Sequence, residues 1–389
     1  MSYGAWAVDP TLLLMGAVLL AALSGLPLLL KPLSPVPAQR LSVLLIILAT
    51  IAGLVGAISS LLSNSSTSYL ISLPLPFGPH ILALDPLSAL FVIPILLVAC
   101  SCSIYSLGYW PAARHPRTIR KISIFFGLLV AALLWVLVAR SVGLFLIGWE
   151  IMALTAYFVL TTNDDEAEVR TAGSLYMICT HTGTLALFGL FSLLASATGS
   201  FQLPATASLD GTAPFATAVL LLALLGFGLK AGIMPLHIWL PSAHANAPSH
   251  ISAIMSGVIL KIGIYGLVRT LSCFSTVPLW WGVTILTLGV ISGVIGVAFA
   301  IGQHDLKRLL AYHSIENIGI IYIGIGVALI GASNGSNLLI LLGMGGALLH
   351  VINHALFKAL LFLGAGSIIH AIGTREIDQI GRASCRERV

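Results

Sequence analysis

Apolar residues run along this chain in long, nearly uninterrupted blocks, and polar residues fall between the blocks rather than alternating with them. A helix needs about 20 mostly apolar residues to cross the hydrocarbon core of a bilayer. Blocks of that order occupy 11–30, 41–62, 84–108, 121–139, 142–161, 171–198, 213–240, 250–271, 280–301, 308–330 and 337–370. They predict about eleven transmembrane α-helices, because backbone polar groups in lipid must be satisfied within the segment. A β-barrel would show alternating segments of about ten residues, which these continuous runs exclude. The expected fold class is therefore all-α, a polytopic membrane protein. The first block lacks a basic leader and an A-x-A exit, so it is expected to be a span rather than a cleaved signal.

The seventh block is irregular. It reads LGFGLKAGIMPLHIWLPSAHANAPSH over 225–250. Pro235 removes a backbone donor inside an apolar run, and glycines at 226, 228 and 232 loosen the turns before it, so a helix break is expected at Pro235. A break at membrane depth is tolerated where it is buried in protein or lines a wet cavity, and transporters place ion sites at such breaks.

Composition agrees with the pattern. Of 389 residues, 58% are hydrophobic and only 8% charged, against about 25% charged in a soluble domain, and the mean hydropathy is +1.05. The net charge of +5 does not imply nucleic-acid binding, because the basic residues sit singly or in short loops. Counting loops from the N-terminus, the odd ones carry Lys31 and Arg40, then Arg114, Arg117, Arg120 and Lys121, then Arg170, then Lys307 and Arg308, then Arg375. The even ones carry little beyond Arg140 and Arg269. The positive-inside bias then places odd loops in the cytoplasm and the N-terminus outside, in a bacterial-type inner membrane. Cys100, Cys102, Cys179 and Cys273 form no metal or redox spacing and read as small packing residues.

Ionisable residues inside the blocks carry the chemistry. Each costs about 2.5–3.5 kcal/mol at a helix centre on insertion scales, and such residues are paired or functional. Glu150 lies in LFLIGWEIMALTAYF, Lys230 just before the break, and Lys261 in SGVILKIGIYGLV. One acid and two amines on separate spans suggest an interior polar axis. An acid brought near Lys230 favours the charged ammonium, and its withdrawal lets the proton pass to Lys261. The plainer alternative is a static ion pair that fixes helix packing in a passive anchor.

His350, His354 and Lys358, in LLHVINHALFKALLFLG, recur every four residues and so share one helix face. They fit a proton relay, haem or metal ligation, or hydrogen-bonded packing. Haem would want a matching His on another span, and His181 is the one obvious candidate. Glu316, in AYHSIENIGII, is a second membrane acid. It either mirrors Glu150 five spans later or pairs with Lys307 and Arg308. His237, His244 and His250 around the break suggest a proton access route or solvated loop histidines.

The segments GWEIMALTAYF, GLKAGIMPLHIWLPSAHANAPSHISAIMSGVILKIGIYGL, QHDLKRLLAYHSIENIG and HVINHALFKALLFLGAGSI resemble the antiporter-like membrane subunits of complex I, membrane-bound hydrogenases and multisubunit Na⁺/H⁺ antiporters. The wording HANAPSH and SIENIG most resembles the large membrane subunit of hydrogenase-4 and formate hydrogenlyase complexes; complex I and Na⁺/H⁺ antiporter subunits are the alternatives. The likeness runs from about residue 80 onward. It implies a proton-translocating subunit with Glu150, Lys230, Lys261, His350, His354 and Lys358 on the path and Glu316 and His237 as further candidates. It implies no cofactor or metal in this chain. Partners would be other membrane subunits and, through them, peripheral redox subunits, with H⁺ or Na⁺ as the transported ion. A haem- or quinone-binding redox subunit is the alternative of another class.

The resemblance also implies inverted five-helix repeats. Residues 1–110 would hold spans one to three, 111–272 the first repeat, and 273–379 a partial second repeat. The last ten residues, IGRASCRERV, turn abruptly hydrophilic and resemble a translated sequencing adapter. They are expected to be foreign to the fold, which would make the chain a fragment unable to pump alone.

Overall fold

The computed structural model describes residues 9–30, 34–63, 67–72, 74 and 78–386. Among them are eleven helices long and apolar enough to cross a membrane. Each falls on one of the eleven apolar blocks. In chain order the helices are α1 (Pro10–Leu23, continued by a 3-10 turn to Leu28), α2 (Pro35–Ser63), α3 (Pro86–Tyr109), α4 (Thr118–Val138), α5 (Val142–Leu160), α6 (Ala167–Thr198), α7 (Pro214–Ala231), α8 (Leu240–Asn246), α9 (Ser249–Ile254), α10 (Leu260–Leu271), α11 (Leu279–Ile301), α12 (Leu306–Ser333), α13 (Asn337–Ile372) and α14 (Ile377–Arg386). A π-helical turn, Met255–Ile259, joins α9 to α10 into one continuous span. Lys31 and residues 387–389 lie outside the described residues.

Several helix starts are set by the sequence. Asp9 precedes Pro10 and accepts from the amides of Thr11 and Leu12 at 2.8 and 3.2 Å. Asp85 precedes Pro86 and accepts from the Ser88 amide at 2.9 Å. Asp305 accepts from the amides of Lys307 and Arg308 at 2.8 and 3.0 Å. An acidic side chain at the N-cap satisfies orphan amides, and proline at the first position lacks the donor that would otherwise be orphaned.

The chain divides into two compact units. The first comprises Met1–Phe158 with Phe201–Leu203. In it α1 packs on α2 and α4, and α3 on α2 and α4. A short antiparallel hairpin, β1 (Ser68–Ile71) with β2 (His80–Ala83), lies between α2 and α3 in the chain. Arg140, just past α4, forms an ion pair with Asp85 at 3.1 Å and donates to the Ser88 hydroxyl at 3.0 Å. That ties the α4 end to the α3 cap.

The second unit comprises Val159–Ser200 and Pro204–Val389. Its helices α6, α7 and α10 pack in series, and α11, α12 and α13 do the same. The two-residue β3 (Leu209–Asp210) pairs with β4 (Phe274–Thr276) in parallel. The centre of the unit is the α9–α10 span, whose most apolar window is entirely buried. A span hidden from lipid on all sides must meet other helices closely. At Gly263 an added Cβ would lie 2.6 Å from the Phe227 carbonyl oxygen and 2.7 Å from the Ala231 nitrogen, so only glycine lets α10 approach α7 there.

The seventh span breaks over residues 232–239, a stretch that contains Pro235. Helix α7 ends at Ala231, and Gly232 caps it in the left-handed region at φ +74°, a C-terminal geometry that favours glycine. Pro235 follows three residues later behind a cis peptide bond. Gly232 ends the helix and Pro235 lies within the interruption that follows.

Cys102, Cys179 and Cys273 are buried free thiols, and Cys100 is half-buried, as packing residues would be. Burial pushes the Cys273 thiol, just outside its span, up to about 11. It is therefore un-ionised and unreactive.

Candidate functional site

The interior of the second unit holds an array of amines and imidazoles. Lys230, Lys261, His354 and Lys358 are each no more than 3% exposed. Lys230 occupies the last turn of α7, where the helix dipole favours a cation. Its ammonium donates to the Tyr176 hydroxyl on α6 at 3.1 Å. Because α7 and α10 are in close contact at Gly263, Lys230 and Lys261 stand on adjoining segments.

Lys261 follows the π turn directly. Its ammonium folds back to the Ser256 carbonyl at 2.5 Å. A π turn withdraws carbonyls from the regular α ladder, and such turns recur at functional sites. The Ser256 hydroxyl meets the Ser314 hydroxyl of α12 at 2.7 Å. That pair fixes the π turn against the next helix.

On α13 the four-residue spacing does what the sequence suggested. His354 and Lys358 point inward, and His350 is half-buried. The His350 and His354 rings stack with centroids 6.0 Å apart. His350 Nε2 meets Asn317 Oδ1 at 2.9 Å, and Asn317 donates to the His313 carbonyl at 2.7 Å. Lys358 donates to the Leu310 carbonyl at 3.1 Å. Among the described residues neither ring nitrogen of His354 has a protein hydrogen-bond partner.

These groups act on one another electrostatically. Lys261 interacts with Lys358, His350 and His354, and Glu316 with His350 and Lys358. Three helical segments thus bring five titratable side chains into one field. Lys261 and Lys358 each make one protein hydrogen bond among the described residues. An ammonium has three donors, so each retains capacity for water.

The structure also redistributes the sequence candidates. Glu150 lies half-buried on α5, in the first unit. Glu316 pairs with His313 at 2.6 Å, and the role of capping α12 beside Lys307 and Arg308 falls to Asp305. His181 is exposed on α6. His244 and His250 are fully buried, which overturns their reading as solvated loop histidines. His237 is half-buried near the Tyr312 ring. Lys307 is not a loop cation but is buried at the α12 start. Among the described residues no group of three or more His, Cys, Asp or Glu side chains could hold a metal ion.

Sequence reasoning missed Tyr176, Ser256, Ser314, Asn317 and Lys307. Only Lys307 carried a signal, as a lysine two residues after a capping aspartate at the start of an apolar run.

Residues 139–388 match the transmembrane family shared by NADH:quinone oxidoreductase and Mrp antiporters. The chain belongs to that family. Its similarity to Escherichia coli hydrogenase-4 component B is 40% identity over 316 residues, covering 80% of this chain and 47% of the relative. With Escherichia coli formate hydrogenlyase subunit 3 it shares 36% over 337 residues, covering 85% and 54%. The solved Mrp complex of a Dietzia species contains a chain with the same fold, at a TM-score of 0.77 and 25% identity, over 95% of this chain and 38% of that one. The chain spans about half the length of the curated relatives it matches. It is thus a multi-pass, antiporter-like member of the NADH:quinone oxidoreductase/Mrp family. The relatives bear the names of a hydrogenase-4 component and a formate hydrogenlyase subunit, and the solved neighbour belongs to an Mrp complex.

Proposed function

We propose that this chain translocates protons as an antiporter-like subunit of a membrane-bound redox complex of the hydrogenase-4 or formate hydrogenlyase type. One observation carries the reading: Lys261, His354 and Lys358, from two spans, are buried together in one unit and act on each other's charge. Clustered like charges in a membrane interior oppose folding, so a purely structural role is a poor reason to keep them. In this reading they form a proton relay. Lys230 joins Lys261 across the α7–α10 contact, His350 extends the row toward Glu316, and the family resemblance makes Glu150 a further proton-handling residue. The unprotonated Lys and His members accept a proton and the protonated ones release it, with water completing gaps.

In this reading the odd-loop face is cytoplasmic. Electrons would be carried by peripheral partner subunits. The test uses the full-length protein in its assembled complex. Lys230→Ala and Glu150→Ala are expected to abolish proton transport while assembly and membrane level persist. Normal transport in both variants overturns the relay.

A further inference from the structure

The first unit carries no acidic residue on the odd-loop side. Its acids are Asp9 before α1 and Asp85 before α3, both at the opposite end, and Glu150 within α5. The odd-loop ends of α2, α3 and α4 instead carry Arg40, Arg114, His115, Arg117, Arg120 and Lys121. Packing gathers these cations on one platform. Gln39, buried next to Arg40, donates to the Ser106 and Trp110 carbonyls at 3.3 and 3.2 Å and accepts from the Ala112 amide at 2.8 Å. Those bonds stitch the start of α2 to the α3–α4 loop. Leu28, Ala38, Ala112 and Ile119 pack beneath with Trp110. The Trp110 indole stacks on the His115 ring, centroids 4.2 Å apart, and donates to the Thr118 hydroxyl at 3.0 Å.

Membrane topology accounts for basic loops, but not for the state of these side chains. In the second unit the odd-loop cations are engaged by protein. Arg170 donates to the Asp164 and Asp165 carbonyls at 2.8 Å, Arg375 pairs with Asp305 at 2.8 Å, and Lys307 donates to the Ala247 carbonyl. On the platform, Arg40, Arg114, Arg117 and Arg120 are exposed, and among the described residues their side chains make no hydrogen bond or ion pair. Clustered like charges repel, so this arrangement calls for an anion from outside the chain. Two further features say which anion. The rings of Tyr105, Tyr109 and Trp110 adjoin one another at the end of α3, as aromatic residues do at headgroup level. Further along α3, Leu97, Ile104 and Leu107 are exposed, an apolar strip leading from the platform toward the bilayer centre.

We propose that this platform binds the phosphate headgroup of an anionic membrane lipid, whose acyl chains lie along Leu97, Ile104 and Leu107. The guanidinium fork matches phosphate oxygens in pairs, and the cluster supplies the charge that favours an anionic over a zwitterionic headgroup. The site belongs to the first unit and stands independently of the proton path.

The test exchanges the complete complex into vesicles of phosphatidylcholine alone or of phosphatidylcholine with phosphatidylglycerol. Arginine modification by phenylglyoxal is then mapped by mass spectrometry. Arg114, Arg117 and Arg120 are expected to react in the first and to be protected at least about fivefold in the second, while Arg170 reacts alike in both. A phosphatidylglycerol with a diazirine in its acyl chain is expected to label residues 97–108 at least about tenfold more in the wild type than in Arg114→Gln/Arg117→Gln/Arg120→Gln. The phosphatidylcholine analogue is expected to label both alike. Full protection in phosphatidylcholine alone assigns the platform to a partner subunit and overturns the proposal. Protection there by inorganic phosphate, beyond that of sodium chloride at equal ionic strength, assigns it to a free anion and overturns the lipid. Equal phosphatidylglycerol labelling of wild type and variant overturns it as well. The phenylglyoxal pattern needs no variant and decides alone should the triple substitution fail to assemble.

Discussion

The ammonium of Lys261 turns back along its own span to the Ser256 carbonyl, 2.5 Å away and inside the π turn. The lysine thus holds a carbonyl that a regular α-helix would have used for its ladder. The interaction links a backbone irregularity to the central titratable group, and the Ser256–Ser314 hydroxyl pair links both to α12. Replacing a buried charge by an apolar side chain of similar length removes its desolvation cost and is often neutral or stabilising. Lys261→Met is therefore expected to leave the thermal midpoint in detergent unchanged or raised, and to abolish proton flux. A lowered midpoint with residual flux would mark Lys261 as structural.

His354 is buried, and among the described residues neither of its ring nitrogens has a hydrogen-bond partner, whereas His350 is fixed by Asn317. A ring retained in that state is more useful as a carrier than as a packing element. His354→Phe keeps the ring volume and is expected to fold normally while slowing proton flux about tenfold or more. Asn317→Ala releases His350 and is expected to have a smaller effect. Flux measurements on the two variants in the assembled complex check the order.

Gly263 is required by the close approach of α10 to the α7 backbone. Gly263→Ala forces the helices apart next to both Lys230 and Lys261. Overpacking of this kind costs about 1–3 kcal/mol, so a lower unfolding midpoint is expected together with impaired flux. An unchanged midpoint would show that the contact is looser than the geometry indicates.

Asp85 provides a control far from the row in sequence and lies in the other unit. It caps α3 and pairs with Arg140, both partners being partly exposed. Asp85→Ala is expected to lower stability by at least about 1 kcal/mol, through the lost cap and the loss of the part-buried pair with Arg140. Thermal unfolding and flux measured together check this, and flux per assembled complex is expected to stay normal.

Hydrophobic block length by itself determined the membrane character, the eleven spans and the interruption of the seventh, because the bilayer thickness and the need to satisfy every backbone group leave little alternative. The four-residue spacing on α13 likewise placed His350, His354 and Lys358 on one face, since helical periodicity is local. Tertiary structure alone decided the rest. Local sequence does not say where an interruption starts and stops, and the structure sets its bounds at Gly232 and Trp239, around Pro235. The π turn before Lys261 leaves no compositional trace. Whether a polar side chain next to a span is buried depends on helices distant in the chain. For that reason Lys307, written as a loop cation, became an interior one, and His244 and His250 became part of the interior rather than of a wet loop.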